Sequence, residues 1–137
     1  MPIQDKKILR ILDANFNRAK EGLRVCEDVC RYIWNAKGFT RQFKMLRHEL
    51  SAVLSRGKFL ELIEARDIHR DVGQATIRTE AQRRNVDEIF WANAQRVKES
   101  LRVLEELLKL FNPKSSAQCK NLRYRMYALE QKALKRL

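Results

Sequence analysis

Turn-forming residues are scarce in this chain, with 4 glycines and 2 prolines in 137 residues. That scarcity, and the absence of strand-like alternation, excludes a fold of many short strands joined by tight turns. No stretch approaches the roughly 18–20 apolar residues of a membrane span. The opening MPIQDKKILRIL has neither the apolar core nor the cleavage site of a secretory signal, so a cytoplasmic, membrane-free protein is expected. The 3 cysteines offer no disulfide framework. Cys26 and Cys30 lie one helical turn apart, Cys119 is left over, and three buried thiols are expected. Neither His48 nor His69 stands at ligand spacing from a cysteine, which argues against a zinc-type site. GxxxxGK[ST] and GxGxxG are both missing, so the common phosphate-cradling loops are excluded. Acid is also short: 17 Asp plus Glu against 29 Lys plus Arg leave a net charge of +12, which favours anionic partners.

What the chain does contain is helix. Leu, Ala, Glu, Lys, Arg and Gln dominate, and the length fits one domain. Asp5 is expected to cap a first helix running to about 35, with Lys37-Gly38 as its stop. Thr40 is expected to cap a second, to about 55, closed by Gly57. A short third helix covers about 58–65, and 66–78, which lacks helical periodicity, reads as a loop. Thr79 with Gln82 forms a capping box for a fourth helix to about 111, and Ser115 with Gln118 another for the last. The two long helices would each measure about 45–50 Å. The expected fold is all-α: a slender antiparallel bundle of about five helices, possible as a homodimer.

The chain also says one thing twice. ANFNRAKEGLRVCE at 14–27 and ANAQRVKESLRVLE at 92–105 agree at nine of fourteen positions. Polar residues match as well as apolar ones: Asn15, Arg18, Lys20, Glu21, Arg24 and Glu27 recur as Asn93, Arg96, Lys98, Glu99, Arg102 and Glu105. With a small slip, Lys44, Leu46, Arg47 and His48 correspond to Lys120, Leu122, Arg123 and Tyr124. The pattern reads as a duplicated long-plus-short helix pair, about 8–55 and 86–134, with an insert at about 57–78. Two copies are too few for a solenoid.

Matched polar positions point to chemistry or to a buried network. On the helical wheel Asn15 and Gly22 project from the apolar arc of the first long helix and Arg18 from its edge, and Asn93, Ser100 and Arg96 repeat this. A guanidinium in that place needs a partner, and Glu21 and Glu99, three residues on, are the local candidates. Either Asn, Arg and Glu lock the register of the two long helices, or the two Asn/Arg pairs converge on one anionic ligand, a use suited to bidentate arginine. Gly22 leaves room for a ligand or a close helix crossing. Arg24 and Arg102 fall on the polar side. In the loop, Arg66, Asp67, Asp71 and Gly73 offer a guanidinium, two carboxylates and a flexible backbone. They could hold Mg²⁺ with substrate phosphates, supply a base, or form an ordinary charged connector. His48 and Tyr124 are expected to face one cleft.

ILDANFNRAKEGLRVCED, KxLRHxL at 44–50, RDIHRDVG, WANAQRVKESLRVLEEL and LRYRMYALE resemble a helical domain found N-terminal to thiamine-phosphate synthase in some bacteria. That family, often catalogued as thiamine-phosphate pyrophosphorylase-like, has been proposed as an alternative hydroxymethylpyrimidine-phosphate kinase. The resemblance runs from about 8 to 134. It implies phosphate binding by Arg18, Arg47, Arg66, Arg96 and Arg123 and substrate positioning by Asn15, Asn93 and His48. Asp67 and Asp71 would hold Mg²⁺ or act as base, with ATP as donor. Glu21, Gly22, Gly73, Glu99 and Tyr124 would support the site. It also implies a (β/α)₈ synthase barrel beyond 137, none of whose sequence is present, so the synthase reaction itself is not expected here. The alternative is a non-catalytic helical module that partners a thiamine-phosphate synthase domain or chain. A nucleic-acid binder is disfavoured, because the basic residues are spread over every helix and no binding motif accompanies them.

Overall fold

The computed structural model describes residues 5–77 and 81–136, and among them there is no strand. Helix α1 spans Lys6–Asp28 and its path continues through a π-helical turn at Val29–Ile33. Then follow α2 (Lys37–Ser51), α3 (Arg56–Ala65), a 3₁₀ turn at Ile68–Arg70, α4 (Val86–Leu108) and α5 (Pro113–Leu134). The all-α bundle of five helices is as expected. The first long helix with its π turn runs over 6–33, close to the expected end at about 35, whereas α4 is shorter than expected, its 23 residues giving about 35 Å.

The helix starts show which capping signals operate. Asp5 caps α1 as expected, its Oδ1 accepting from Lys7 N at 2.8 Å. Thr40 does not cap α2: it lies inside the first turn and its hydroxyl donates to the Ala36 carbonyl at 2.8 Å. Lys37-Gly38 opens α2 rather than closing α1, because the chain turns earlier, at Asn35 with φ 52°. Gly57 terminates nothing. It sits in the first turn of α3, whose cap is Ser55. Asn85 caps α4, and the expected cap Thr79 lies outside the described residues. Asn112 caps α5 with Pro113 at its first position, so Ser115 is released to donate to the Val53 carbonyl at 3.2 Å.

Helices α1 and α4 form the antiparallel spine. The Cys26 thiol donates to the Phe90 carbonyl, while a Cβ built on Gly22 would fall 2.6 Å from Val97 Cγ2 and 3.0 Å from the Asn93 carbonyl oxygen. Gly22 therefore serves close helix crossing and not ligand space. Around the spine, Leu12, Phe16, Cys26, Phe43, Leu50, Phe90, Val97, Leu104, Cys119 and Met126 make one continuous core. The aromatic part is edge-on: Phe43 meets Phe90 at 5.7 Å and 81°, and Phe16 meets Phe59 at 5.1 Å and 77°. α3 packs on the N-terminal half of α1 and delivers the segment after it, residues 66–71, onto that helix. No helix among the described residues is long and apolar enough to cross a membrane.

Candidate functional site

The N-terminal half of α1 carries Lys7, Arg10, Ala14 and Arg18 at three- and four-residue intervals, a stripe on one face. Against that stripe lies the segment 66–71, and between them is a cavity of about 500 Å³. Lys7, Arg10, Arg18 and Arg66 supply positive charge to its wall, Asp13, Asp67 and Asp71 supply carboxylates, and Asn15 an amide. The segment is pinned at two points. Buried Asp13 receives Arg66 through both oxygens, Nε to Oδ2 and Nη2 to Oδ1 at 2.7 Å each. Arg10 Nη2 donates to the Asp67 carbonyl at 3.0 Å. The bond to Asp13 holds the Arg66 guanidinium pKa above its ordinary value. Two helical turns along from Asp13, burial pulls Lys20 below the usual lysine range, opposed in part by the Asp13 charge.

Asp67 and Asp71 also shape the loop. Asp67 Oδ1 accepts from Arg70 N at 3.3 Å, and Asp71 Oδ1 accepts from Gly73 N at 2.9 Å. The described residues contain no group of three or more His, Cys, Asp or Glu placed to hold a metal by themselves. Magnesium seldom uses such a cage: it takes one or two carboxylates and fills its sphere with water and substrate phosphates. Two aspartates on the wall of one cationic cavity fit an ion of that kind.

Five candidates named from the sequence thus meet in one cavity: Asn15, Arg18, Arg66, Asp67 and Asp71. Their counterparts do not join them. Asn93 lies level with Gly22, whereas Asn15 is seven residues back along α1, about 10 Å at 1.5 Å per residue. The cavity wall takes Asn15 and Arg18 but neither Asn93 nor Arg96, so the expected convergence of both Asn/Arg pairs on one ligand is not found there. Both amides instead bond back to their own helices, Asn15 to the Ile11 carbonyl at 2.8 Å and Asn93 to Ile89 at 2.9 Å. Arg18, Arg96, Glu21 and Glu99 are all exposed, and no ion pair among the described residues links Arg18 to Glu21 or Arg96 to Glu99. Lys7 and Arg10, missed in the sequence, were signalled by the spacing of the basic stripe on α1, whereas Asp13 carried no such signal.

The matched polar residues find their explanation elsewhere. Glu27 and Glu105, both buried, each accept from the arginine of the following helix: Arg47 Nε at 3.0 Å and Arg123 Nη2 at 3.3 Å. Each glutamate also has an arginine three residues before it, Arg24 at 3.9 Å and Arg102 at 3.0 Å, and both of these are exposed, as their place on the polar side of the wheel implied. Arg47 and Arg123 are thereby committed to joining helices within each matched pair, not to the cavity. His48 is exposed, and Tyr124 lines a separate hollow between α4 and α5 to which His48 does not contribute. They do not share a cleft.

Residues 10–132 match the model of the ThiD2 family. Among curated proteins, a thiamine-phosphate synthase of Synechocystis is 48% identical over 124 residues, 90% of this chain and 35% of the relative. A thiamine-phosphate synthase of Nostoc is 43% identical over 90% of this chain and 34% of its own length, and one of Rhodopirellula baltica is 36% identical over 91% and 34%. The chain therefore spans about a third of the length of these relatives. No solved structure matches it. With a family match over nearly its whole length, the chain belongs to the ThiD2 family.

Proposed function

We propose that the protein serves thiamine biosynthesis by binding a phosphorylated hydroxymethylpyrimidine in the cavity between α1 and residues 66–71, and by transferring a second phosphoryl group to it from ATP. The observation that carries this reading is the donor set of that one cavity: four cationic side chains, three aspartates and Asn15 around about 500 Å³. Phosphoryl transfer is mostly positioning and neutralisation of oxygen charge, and needs little covalent help from the protein. Arg18 and Lys7, which are exposed, are free to engage the ligand phosphates, whereas Arg66 is oriented by Asp13 and presents one remaining edge of its guanidinium. Asp67 and Asp71 are the residues that would hold a Mg²⁺, which would offset the charge of the phosphates. In the transfer, an oxygen of the precursor phosphate bonds to the γ-phosphorus, the γ-phosphorus bond to the bridging oxygen breaks, and ADP leaves. The test is a coupled assay of the purified protein with ATP, Mg²⁺ and hydroxymethylpyrimidine phosphate. Turnover that falls at least tenfold in Arg18→Ala and Asp71→Asn, with unchanged melting temperatures, is expected. Absence of turnover by the unaltered protein removes the kinase reading.

The length relation supports a second reading, in which the chain is a helical module that works with a thiamine-phosphate synthase and performs no chemistry. In that case Arg18→Ala and Asp71→Asn leave thiamine synthesis intact in a complemented auxotroph.

A further inference from the structure

Two junctions of the bundle join helices of matched sequence, α1 into α2 and α4 into α5, and each encloses a hollow. The hollow at the α4–α5 junction, about 490 Å³, is edged by Lys109, Lys120 and Arg123. Its charge is largely answered from within: Glu106 meets Lys109 at 2.8 Å, and Glu105 meets both Arg102 and Arg123. The start of α5 is closed by the Asn112 side chain. The hollow at the α1–α2 junction, about 450 Å³, is edged by Arg31, Lys37, Arg41 and Lys44, with Thr40 between them and no carboxylate on its wall. None of these four cations forms an ion pair among the described residues. Arg31 lies over the Tyr32 ring at 4.8 Å and has no acidic partner. Ala36 stands where the other junction has its capping Asn112, so α2 begins with no side-chain cap and no acid in its first turn. Four unanswered cations around the positive end of a helix are mutually repulsive and unfavourable with the helix dipole. An anion from outside would reverse both terms.

We propose that the α1–α2 junction is a second anion-binding site, taking a ligand with two or three linked phosphoryl groups. A terminal phosphoryl group carries about −1.5 to −2 charge at neutral pH and each further linked one about −1, so a chain of two or three offsets most of the charge of the four cations on this wall. Lys37, Arg41 and Lys44 lie on successive turns of α2, and Arg31 comes to the hollow from the end of the α1 path. The site is distinct from the first cavity. Arg31 follows Asp13 by eighteen residues on one continuous helical path, about 27 Å at 1.5 Å per residue. No phosphoryl group passes directly between the two within one chain. The second site anchors or senses its ligand, whether or not the first cavity performs the proposed transfer.

Calorimetric titration of the full chain in about 150 mM salt, where exposed long-range attraction is screened beyond roughly 8 Å, provides the test with pyrophosphate, ATP and orthophosphate as probes. Pyrophosphate is expected to bind at least tenfold tighter than orthophosphate. Arg41→Ala with Lys44→Ala should weaken pyrophosphate at least tenfold without lowering the melting temperature, since neither side chain has an intramolecular ion pair to lose. Lys114→Ala with Lys120→Ala, an equal change of charge at the start of α5, which packs at the other end of the bundle against Val53, should alter it less than twofold. Ala36→Asp, which supplies the missing cap from within, should weaken pyrophosphate and raise the melting temperature of the free protein. ATP and pyrophosphate binding equally identifies the phosphate chain alone as the ligand, and ATP binding tighter identifies a nucleotide. Equal weakening in the two double variants, or no binding by the unaltered protein, overturns the site. Because the readout is binding and not turnover, failure of the phosphotransfer reading leaves it standing.

Discussion

Gly22→Ala tests how the spine of the bundle is built. The new methyl would lie 2.6 Å from Val97 Cγ2 and 3.0 Å from the Asn93 carbonyl oxygen, against an optimal separation of about 3.5–4.0 Å. Val97 is fully buried and has one favoured rotamer in a helix, so it has no room to swing away. The carbonyl belongs to the α4 backbone and moves only with the helix. Relief therefore requires α1 and α4 to part by several tenths of an ångström along their crossing, and such overpacking costs about 1–3 kcal/mol. Alanine gives back up to about 1 kcal/mol through its helix propensity. The net expectation is a loss of about 1–2 kcal/mol, a fall of roughly 3–8 °C in melting temperature, measured by thermal and urea denaturation. Gly57→Ala is the control. It sits in the first turn of α3 with nothing within 4 Å of its added methyl, and should stabilise by up to about 0.5–1 kcal/mol. A Gly22→Ala protein as stable as the parent would refute the close-crossing account and return Gly22 to the role of ligand space.

Three further outcomes follow from the same geometry. Glu105→Gln leaves Arg123 buried without its anion and should cost about 3 kcal/mol in urea denaturation, with much of the loss recovered when Arg123→Met is added; an additive double variant would deny the coupling. Asp13→Asn removes the charge from a carboxylate that grips a 42%-exposed guanidinium, so its stability cost should be only about 1 kcal/mol after screening. Hydrogen exchange across 66–73, by contrast, should quicken at least tenfold, and an unchanged rate would show that Arg10 alone holds the segment. Burial pushes the Cys30 thiol up to about 11 and Cys119 to about 12 from an ordinary 9.0. The folded state then keeps its thiol protons where the unfolded chain has lost them, and stability should decline as pH rises from about 9 through these values. All three thiols should resist alkylation at pH 8 until the protein unfolds, and rapid labelling of the native chain would contradict their burial.

The fold was legible because its signals are local. Apolar residues recur at helical spacing, and Asp5, Pro113 and the poverty of glycine each act within one turn of where they stand. The boundaries that misled were those where two polar residues competed for one role. Asn112 and Ser115 both suit a cap, and the fixed φ of Pro113 decides between them by making itself the first helical residue. Thr40 lost to backbone geometry: with Asn35 left-handed, the chain is already turning into α2 at Ala36, four residues earlier than its hydroxyl signals. Half of the first cavity was legible for a similar reason, since Asp67, Asp71 and Arg66 are neighbours in sequence and Asn15 and Arg18 lie on one helix face. That the two groups meet was not legible, because it depends on α3 carrying residues 66–71 back across α1 to a carboxylate, Asp13, that looks from the sequence like a solvated residue.

The matched polar residues carry the larger lesson, because identity between two copies says that a position is constrained and not by what. In an antiparallel pair crossing near Gly22, equivalent residues distant from the crossing are sent to opposite ends of the spine. A ligand site assembled from both copies would need its residues close to the crossing point and turned inward. Arg18 and Arg96 lie near it but are exposed, and the amides of Asn15 and Asn93 bond back to their own helices. What both copies retain is contact within each helix pair: a buried glutamate on the long helix answered by an arginine on the next, Glu27 with Arg47 and Glu105 with Arg123. Where the copies diverge, the chemistry changes. Asn112 in one junction and Ala36 in the other, Ala117 in one and Arg41 in the other, separate a helix start completed from within from one left electropositive. Departures from the repeat are therefore where ligand binding is to be sought, and its agreements are where the bundle is held together.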